Sequence, residues 1–340
     1  MFIATGAGHP APLLQWHRDV RDVFDDWKDS GSENLIISPD VDGLTTSCLL
    51  AKHYGSRIIG IYTGQHLLLA KGYPLQIARE ALWLDHDVNG AGIRCVGQHL
   101  VHHQPTDLLP TRHKVSWNPN VWQKQAWSKS FAGIAGKKRD KYPYATAHFV
   151  AAALGDLETS NPNLLSLLAH ADGAWFALDI YQANASIWEA LMFPGSTTIG
   201  LMRSWAKATH MHPAHTQLVN QLLQNGIKKQ VSRSKRAVLL PAPLRALTGN
   251  QSVKGQPTMQ PQQYWNNLQS ALNVIGGIVG SKPTIPATVG QVFSGVRATY
   301  YPNTVVANYG SFDAMTIQAS IFSHAFTAQS RLQYTQTFGL

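Results

Sequence analysis

The chain has 340 residues, 44% of them apolar, with a mean hydropathy of −0.15, which is enough apolar surface for one large core or two smaller ones without disulfide support. Its apolar runs fall far short of the roughly 20 residues that cross a bilayer, which excludes a membrane-spanning helix, and its two cysteines, Cys48 and Cys95, form no C-x-x-C pair, which excludes a zinc or disulfide framework. With 28 Lys+Arg against 19 Asp+Glu the net charge is +9, which favours a polyanionic partner; charged residues are only 14% of the chain, so a cluster of acids asks for a reason.

Residues 1–17 lack a basic n-region, and Pro10 and Pro12 interrupt the apolar stretch there, so no secretory signal is expected. Two free thiols suit a reducing compartment, and a cytoplasmic location is expected. Over 12–29, Leu13, Trp16, Val20, Val23, Phe24 and Trp27 recur at helical spacing, which predicts an amphipathic helix. NLIIS (34–38) reads as a strand that ends at Pro39-Asp40-Val41-Asp42-Gly43, followed by a helix closed by Gly55. RIIGIYT (57–63) is a second strand, a helix lies around 74–81, ALWLD (81–85) is a third strand, and 92–103 holds a fourth. KVSW (114–117) is a short fifth, before helical stretches at about 142–154 and 161–171. Strands alternating with helices predict an α/β fold with a mostly parallel sheet flanked by helices.

Beyond about residue 195 the texture changes. Residues 198–226 read as helical, KKQVSRSKR (228–236) is a basic run, and 247–263 has the Gly, Pro, Gln and Ser content of a linker. The last 55 residues are rich in β-branched and aromatic types. The expected organisation is a domain over 1–195 and, over 196–340, a helical connector with a second, smaller β-containing domain.

Ligands of open parallel sheets bind beyond the carboxyl ends of the strands. Three of the predicted strands end in chemically loaded segments: Asp40-Val41-Asp42-Gly43, Asp85-His86-Asp87 and Val101-His102-His103; Asp172, at the end of a helical run, is placed to reach the same rim. Hard divalent cations take carboxylates with a few imidazoles, and two ions can share a bridging carboxylate. Each piece also has a plain structural reading. Asp40 and Asp42 suit a helix cap, Asp85-His86-Asp87 suits a solvated turn, and His102-His103 suit a surface. A carboxylate at the negative end of a helix, as at Asp172, is unfavourable without a cation.

The order of these motifs resembles the DHH phosphoesterase superfamily, and within it the RecJ-like single-strand exonucleases. SPDVDGLTTSCLL is similar to the family's D-x-D-x-D-G loop and helix, LWLDHDV to the strand ending in a lone aspartate, and LVHHQPTDLLP with KVSWNPN to the D-H-H segment and the Asn-Pro strand end. FAGIAGKKRDKYPYATAHFVAAALGD resembles the Gly-rich segment and long helix that follow, and NLLSLLAHADGAW the fourth motif. The likeness covers about residues 33–175.

This resemblance implies metal ligation by Asp40, Asp42, Asp85, His102 and Asp172, with Asp85 bridging two Mn²⁺ or Mg²⁺ ions, and a catalytic set completed by His103. The substrate phosphate would be met by His103, Asn118, Lys137, Lys138 and Arg139. The implied activity is a metal-dependent phosphodiesterase: two-metal-assisted attack of water on phosphorus in single-stranded nucleic acid, with no membrane role and with a replication or repair partner open. Three positions depart from the pattern. Val101 stands at the first D-H-H aspartate, Ser38 where RecJ-like enzymes carry another aspartate, and Ile36 where the pyrophosphatase branch carries a histidine. The accessory domain's G-G-G-H segment has its nearest counterpart in Ile275-Gly276-Gly277-Ile278. Two alternatives stay open: hydrolysis of a small substrate such as an oligonucleotide, cyclic dinucleotide or pyrophosphate, and a non-catalytic single-strand-binding protein.

Overall fold

The computed structural model describes residues 15–64, 66–88, 92–99, 116–122, 142–174, 178, 182–207, 213–225, 227–231, 237–241, 260–294, 297–300, 321–328 and 331–336. The first half runs α1 (Gln15–Asp29), β1 (Asn34–Ile37), α2 (Val41–Tyr54), β2 (Arg57–Tyr62), β3 (His66–Ala70), α3 (Leu75–Glu80), β4 (Leu82–Leu84), β5 (Arg94–Val96), α4 (Pro119–Trp122), α5 (Thr146–Leu154) and α6 (Pro162–His170), then a 3-10 turn over Ala171–Gly173. There follow α7 (Gln182–Met192), α8 (Thr197–Lys207), α9 (Pro213–Gln224), β6 (Ile227–Val231), β7 (Ala237–Pro241), α10 (Pro261–Val279), β8 (Val289–Ser294), β9 (Arg297–Tyr300), β10 (Ile321–Ala328) and β11 (Arg331–Gln336).

The fold is α/β, as its strand–helix alternation predicts. A six-stranded sheet has the order β5-β4-β1-β2-β3-β8. β5, β4, β1 and β2 are parallel, whereas β3 runs antiparallel to both β2 and β8. The parallel strands are apolar on both faces, as a sheet covered on both sides requires. Their side chains alternate: Leu35, Ile37, Ile58, Leu82, Leu84 and Val96 join the larger core with α1, α2, α5, α6 and α10, while Ile36, Ile59, Trp83 and Cys95 join a smaller one with Ala78 of α3. On α1, Trp16, Val20, Val23, Phe24 and Trp27 form the buried stripe that the helical spacing requires.

α2 is the pivot between sheet and site. Its first eleven residues, Val41–Ala51, are all buried, and it packs against α5, α6 and α10. The entry is tight: a Cβ on Gly43 would lie 2.2 Å from the Ser38 carbonyl oxygen, and since backbone cannot yield as a side chain does, glycine is required. Gly43→Ala is expected to cost at least the 1–3 kcal/mol typical of overpacking; a urea melt measures it, and an unchanged midpoint would show that the 38–43 loop is free to relax.

Part of the chain beyond residue 195 joins the main core. On α10, Trp265, Leu268, Leu272 and Ile275 lie in the same cluster as α2, and Ile199, Met202, Leu218 and Leu222 of α8 and α9 join it. β8 extends the main sheet beside β3. A three-stranded antiparallel sheet, β10-β11-β9, and the β6–β7 hairpin are not hydrogen-bonded into the main sheet. Among its described residues the 198–226 stretch holds two helices, the basic run contributes β6 up to Val231 with 232–236 outside the described residues, and Pro261 opens α10 at its first turn. Gly276 and Gly277 lie inside α10, where a Cβ on Gly276 would come within 2.6 Å of the Lys282 Cβ, so that glycine admits the chain returning after Gly280. β3 is an element the sequence reading did not expect.

Candidate metal centre

Parallel strands deliver their carboxyl ends to one edge, and the acidic residues gather there. Asp40 follows β1 as the N-cap of α2: its Oδ1 accepts from Gly43 N at 3.0 Å and its Oδ2 from Ser38 Oγ at 2.7 Å. The cap and the rim are thus the same residue. Asp42, in the first turn of α2, is fully buried, and the N-terminus of α5 meets it: Thr146 N donates to Oδ2 at 2.8 Å and Ala147 N to Oδ1 at 2.7 Å, with Thr46 Oγ1 3.3 Å from Oδ1. Free N–H groups and the positive end of the helix dipole suit a buried anion.

Asp85 directly follows β4. Its Oδ1 accepts from Thr146 Oγ1 at 2.8 Å and lies 3.0 Å from His99 Nε2, whereas its Oδ2 is buried with no hydrogen-bond donor. Asp172 is carried in by the turn after α6 and is exposed; Gln98 Nε2 donates to its Oδ2. One ligand atom each from Asp85, His99 and Asp172 lie within 4.8 Å of one another. Among the described non-glycine residues only Asp85, at φ 58°, and Asp172, at φ 49°, have left-handed backbone. Such conformations cost of order 1–3 kcal/mol and gather at functional sites.

The loop that brings His99 in is held by a buried amide network. Asp87 accepts from His99 N at 2.8 Å and from Asn118 Nδ2 at 2.9 Å. Asn118 Oδ1 accepts from Asn120 N at 2.8 Å, while Asn120 Nδ2 donates to the Gln98 carbonyl at 2.7 Å and its Oδ1 accepts from Tyr142 N at 2.7 Å. Trp117 joins β5 through a single parallel bridge to Val96, which brings Asn118 to the same edge.

Burial, and then the other carboxylates, push Asp42 and Asp85 well above the usual carboxylate range; burial and Asp172 raise Asp40. Without a cation the cluster therefore resists full ionisation. His86 takes no part in this: packed against the edges of Tyr62 and Trp83, it is held neutral by burial, its pKa lowered to about 3.

The structure brings together Asp40, Asp42, Asp85 and Asp172 of the expected ligands. Asn118 is also at this edge, with its amide engaged by Asp87 and Asn120. Val101, His102, His103, Lys137, Lys138 and Arg139 lie outside the described residues. Ser38 supplies a hydroxyl donor to Asp40, and Ile36 belongs to the smaller core. The sequence does not single out Gln98, His99 or Thr146 as ligands, and it offers Asp87 only within the Asp85-His86-Asp87 strand end. β5 ends at Val96, so reading from the strand end rather than from the His-His pair points to 97–99; Thr146 announces itself only as the first residue of a helix.

No protein-family model matches the chain, and it has no match among the curated proteins or the solved structures compared with it. No helix among the described residues is long and apolar enough to cross a membrane. The donor set fits a hard divalent cation: oxygens dominate, one imidazole is within reach, and Asp85, with one oxygen buried and lacking a donor, is crowded by other carboxylates whose repulsion a cation or protonation relieves.

Proposed function

We propose that the protein is a cytoplasmic Mn²⁺- or Mg²⁺-dependent phosphodiesterase acting on single-stranded nucleic acid, in the manner of RecJ-like exonucleases. The observation that carries this reading is the convergence of four aspartates and His99 at one sheet edge, with Asp85 Oδ2 buried and lacking a donor. Asp40, Asp42, Asp85, Asp172 and His99 would hold two ions, with His102 a further ligand suggested by the family resemblance. When bound, such ions lower the pKa of water and offset charge on a phosphoryl group.

The chain's own residues do the rest. Asp85 offers one oxygen to the site while the other is held. Asp42 is fixed by two backbone donors. The N-terminus of α2 lies behind Asp40 and Asp42 and favours a phosphate at the rim. Asn118 acts through Asp87, which positions His99; His103, Lys137, Lys138 and Arg139 remain the proposed phosphate contacts. The +9 charge and the basic run at 228–236 favour a strand over a small anion.

End-labelled single-stranded DNA, RNA and dinucleotides, incubated with the protein and Mn²⁺, test this. Stepwise shortening of a strand that EDTA abolishes is expected. Hydrolysis confined to dinucleotides would move the assignment to a small-substrate phosphohydrolase, and binding without cleavage to a non-catalytic protein. Strand binding is expected to weaken steeply with salt as lysines and arginines displace counterions; a filter-binding titration from 50 to 200 mM salt, about the range over which such losses are large, measures it. A flat response would argue against an extended phosphate track.

A further inference from the structure

The first turn of α5 reaches the acidic rim through three donors. Two are the backbone N–H groups of Thr146 and Ala147, which hold both oxygens of Asp42. The third is the Thr146 hydroxyl, 2.8 Å from Asp85 Oδ1. Thr146, Asp42 and Asp85 are all buried, so none of these contacts competes with water. The turn is itself anchored: Ala145 N donates to His148 Nδ1 at 3.0 Å, and α5 packs along α2 and α1. One residue thus touches two carboxylates that lie 104 and 61 positions away in sequence, one in the first turn of α2 and the other just after β4.

A carboxylate with one oxygen held by a hydroxyl and an imidazole is restrained about its final bond, because any partial rotation stretches both contacts. Asp85 is in that position, and its other oxygen is the one without a donor. We infer that Thr146 is a positioning residue for cation binding: its hydroxyl holds the Asp85 carboxylate in place, while its N–H keeps Asp42 in register with it. This rests on the metal-centre reading above. It also assigns α5 a role in setting the separation of two ligands, beyond its part in the core.

Thr146→Val removes the hydroxyl at nearly constant shape and keeps the backbone donor, whereas Thr146→Ser keeps both. Mn²⁺ is titrated into each full-length protein without substrate, by calorimetry or by loss of the free-ion electron paramagnetic resonance signal. The valine variant is expected to bind Mn²⁺ about 10- to 100-fold more weakly, the range for residues that orient ligands, and the serine variant to return close to wild type. Thermal melts in EDTA report whether each variant folds; should valine fail to fold, Thr146→Ala compared with Thr146→Ser makes the same test. Equal Mn²⁺ affinity in wild type and valine variant would overturn the positioning role alone. Serine binding as weakly as valine would overturn it too, because a hydroxyl-specific contact should be rescued. A wild type that binds no Mn²⁺ would overturn both this role and the metal-centre reading.

Discussion

Asp85→Asn is expected to abolish Mn²⁺-dependent cleavage, by about a thousandfold or more, while raising the melting temperature of the metal-free protein. The loss follows from removing the charge of the proposed bridging ligand: metal ions supply several kcal/mol of transition-state stabilisation, and each ~1.36 kcal/mol is tenfold in rate. The gain follows from burial, since Asp85 is a buried carboxylate whose ionisation Asp40 and Asp172 also oppose. Asparagine is the informative replacement. It still offers an oxygen to Thr146, and it tolerates the positive φ of 58° better than alanine, which would add about 1–2 kcal/mol of backbone cost. Melting in EDTA near pH 8, run beside the cleavage assay, measures both effects. Near wild-type cleavage would remove Asp85 from the centre, and a lower melting temperature would mean that the carboxylate stabilises the fold even without a cation.

The metal-free protein is expected to lose stability as pH rises from the ordinary carboxylate range near 4 towards neutrality. Asp40, Asp42 and Asp85 all have folded pKa values raised by burial and by neighbouring carboxylates, Asp172 among them. In that window the folded state binds more protons than the unfolded state, so unfolding free energy falls with pH, by about 1.4 kcal/mol per pH unit for each proton involved. The stabilisation is complete below the unfolded pKa and is lost as pH passes through the folded values. Mn²⁺ replaces those protons, so its stabilising effect should grow with pH. Urea melts at several pH values, with EDTA or with Mn²⁺, give the comparison. A metal-free protein whose stability rises from pH 5 to 8, with no growing Mn²⁺ effect, would contradict the electrostatics described for the rim.

The β1–α2 unit was legible because local signals agree: an apolar run, an aspartate cap, a glycine that must lack a side chain and a buried helix. β4 and Asp85 were legible for the same reason. β3 was not, because HLLLA is a short apolar run with no alternation, buried on both faces between β2 and β8. Its partner β8 lies more than 200 residues further on, and nothing local announces that pairing. α10 begins in a Gln-rich, Pro-containing stretch whose composition suggests a loop, although Pro261 suits a first helical turn. At the site, the aspartates stand out in an acid-poor chain, whereas Thr146 and Asn120 act through contacts that only the folded chain creates. His99 was overshadowed by the adjacent His102-His103 pair; the end of β5 at Val96, followed by Gly97, is what places it. A Cβ on Gly97 would lie 2.5 Å from the His86 carbonyl oxygen, so the loop can cross there only as glycine.

Anomalous diffraction from crystals soaked in Mn²⁺ tests the metal centre most directly. Manganese is expected at the sheet edge, bonded to Asp85 Oδ2 at about 2.0–2.3 Å, the range for hard cations with oxygen ligands, and with His99 or Asp172 among the other ligands. Manganese elsewhere on the chain, with Asp85 Oδ2 still lacking a partner at saturating Mn²⁺, would contradict this expectation.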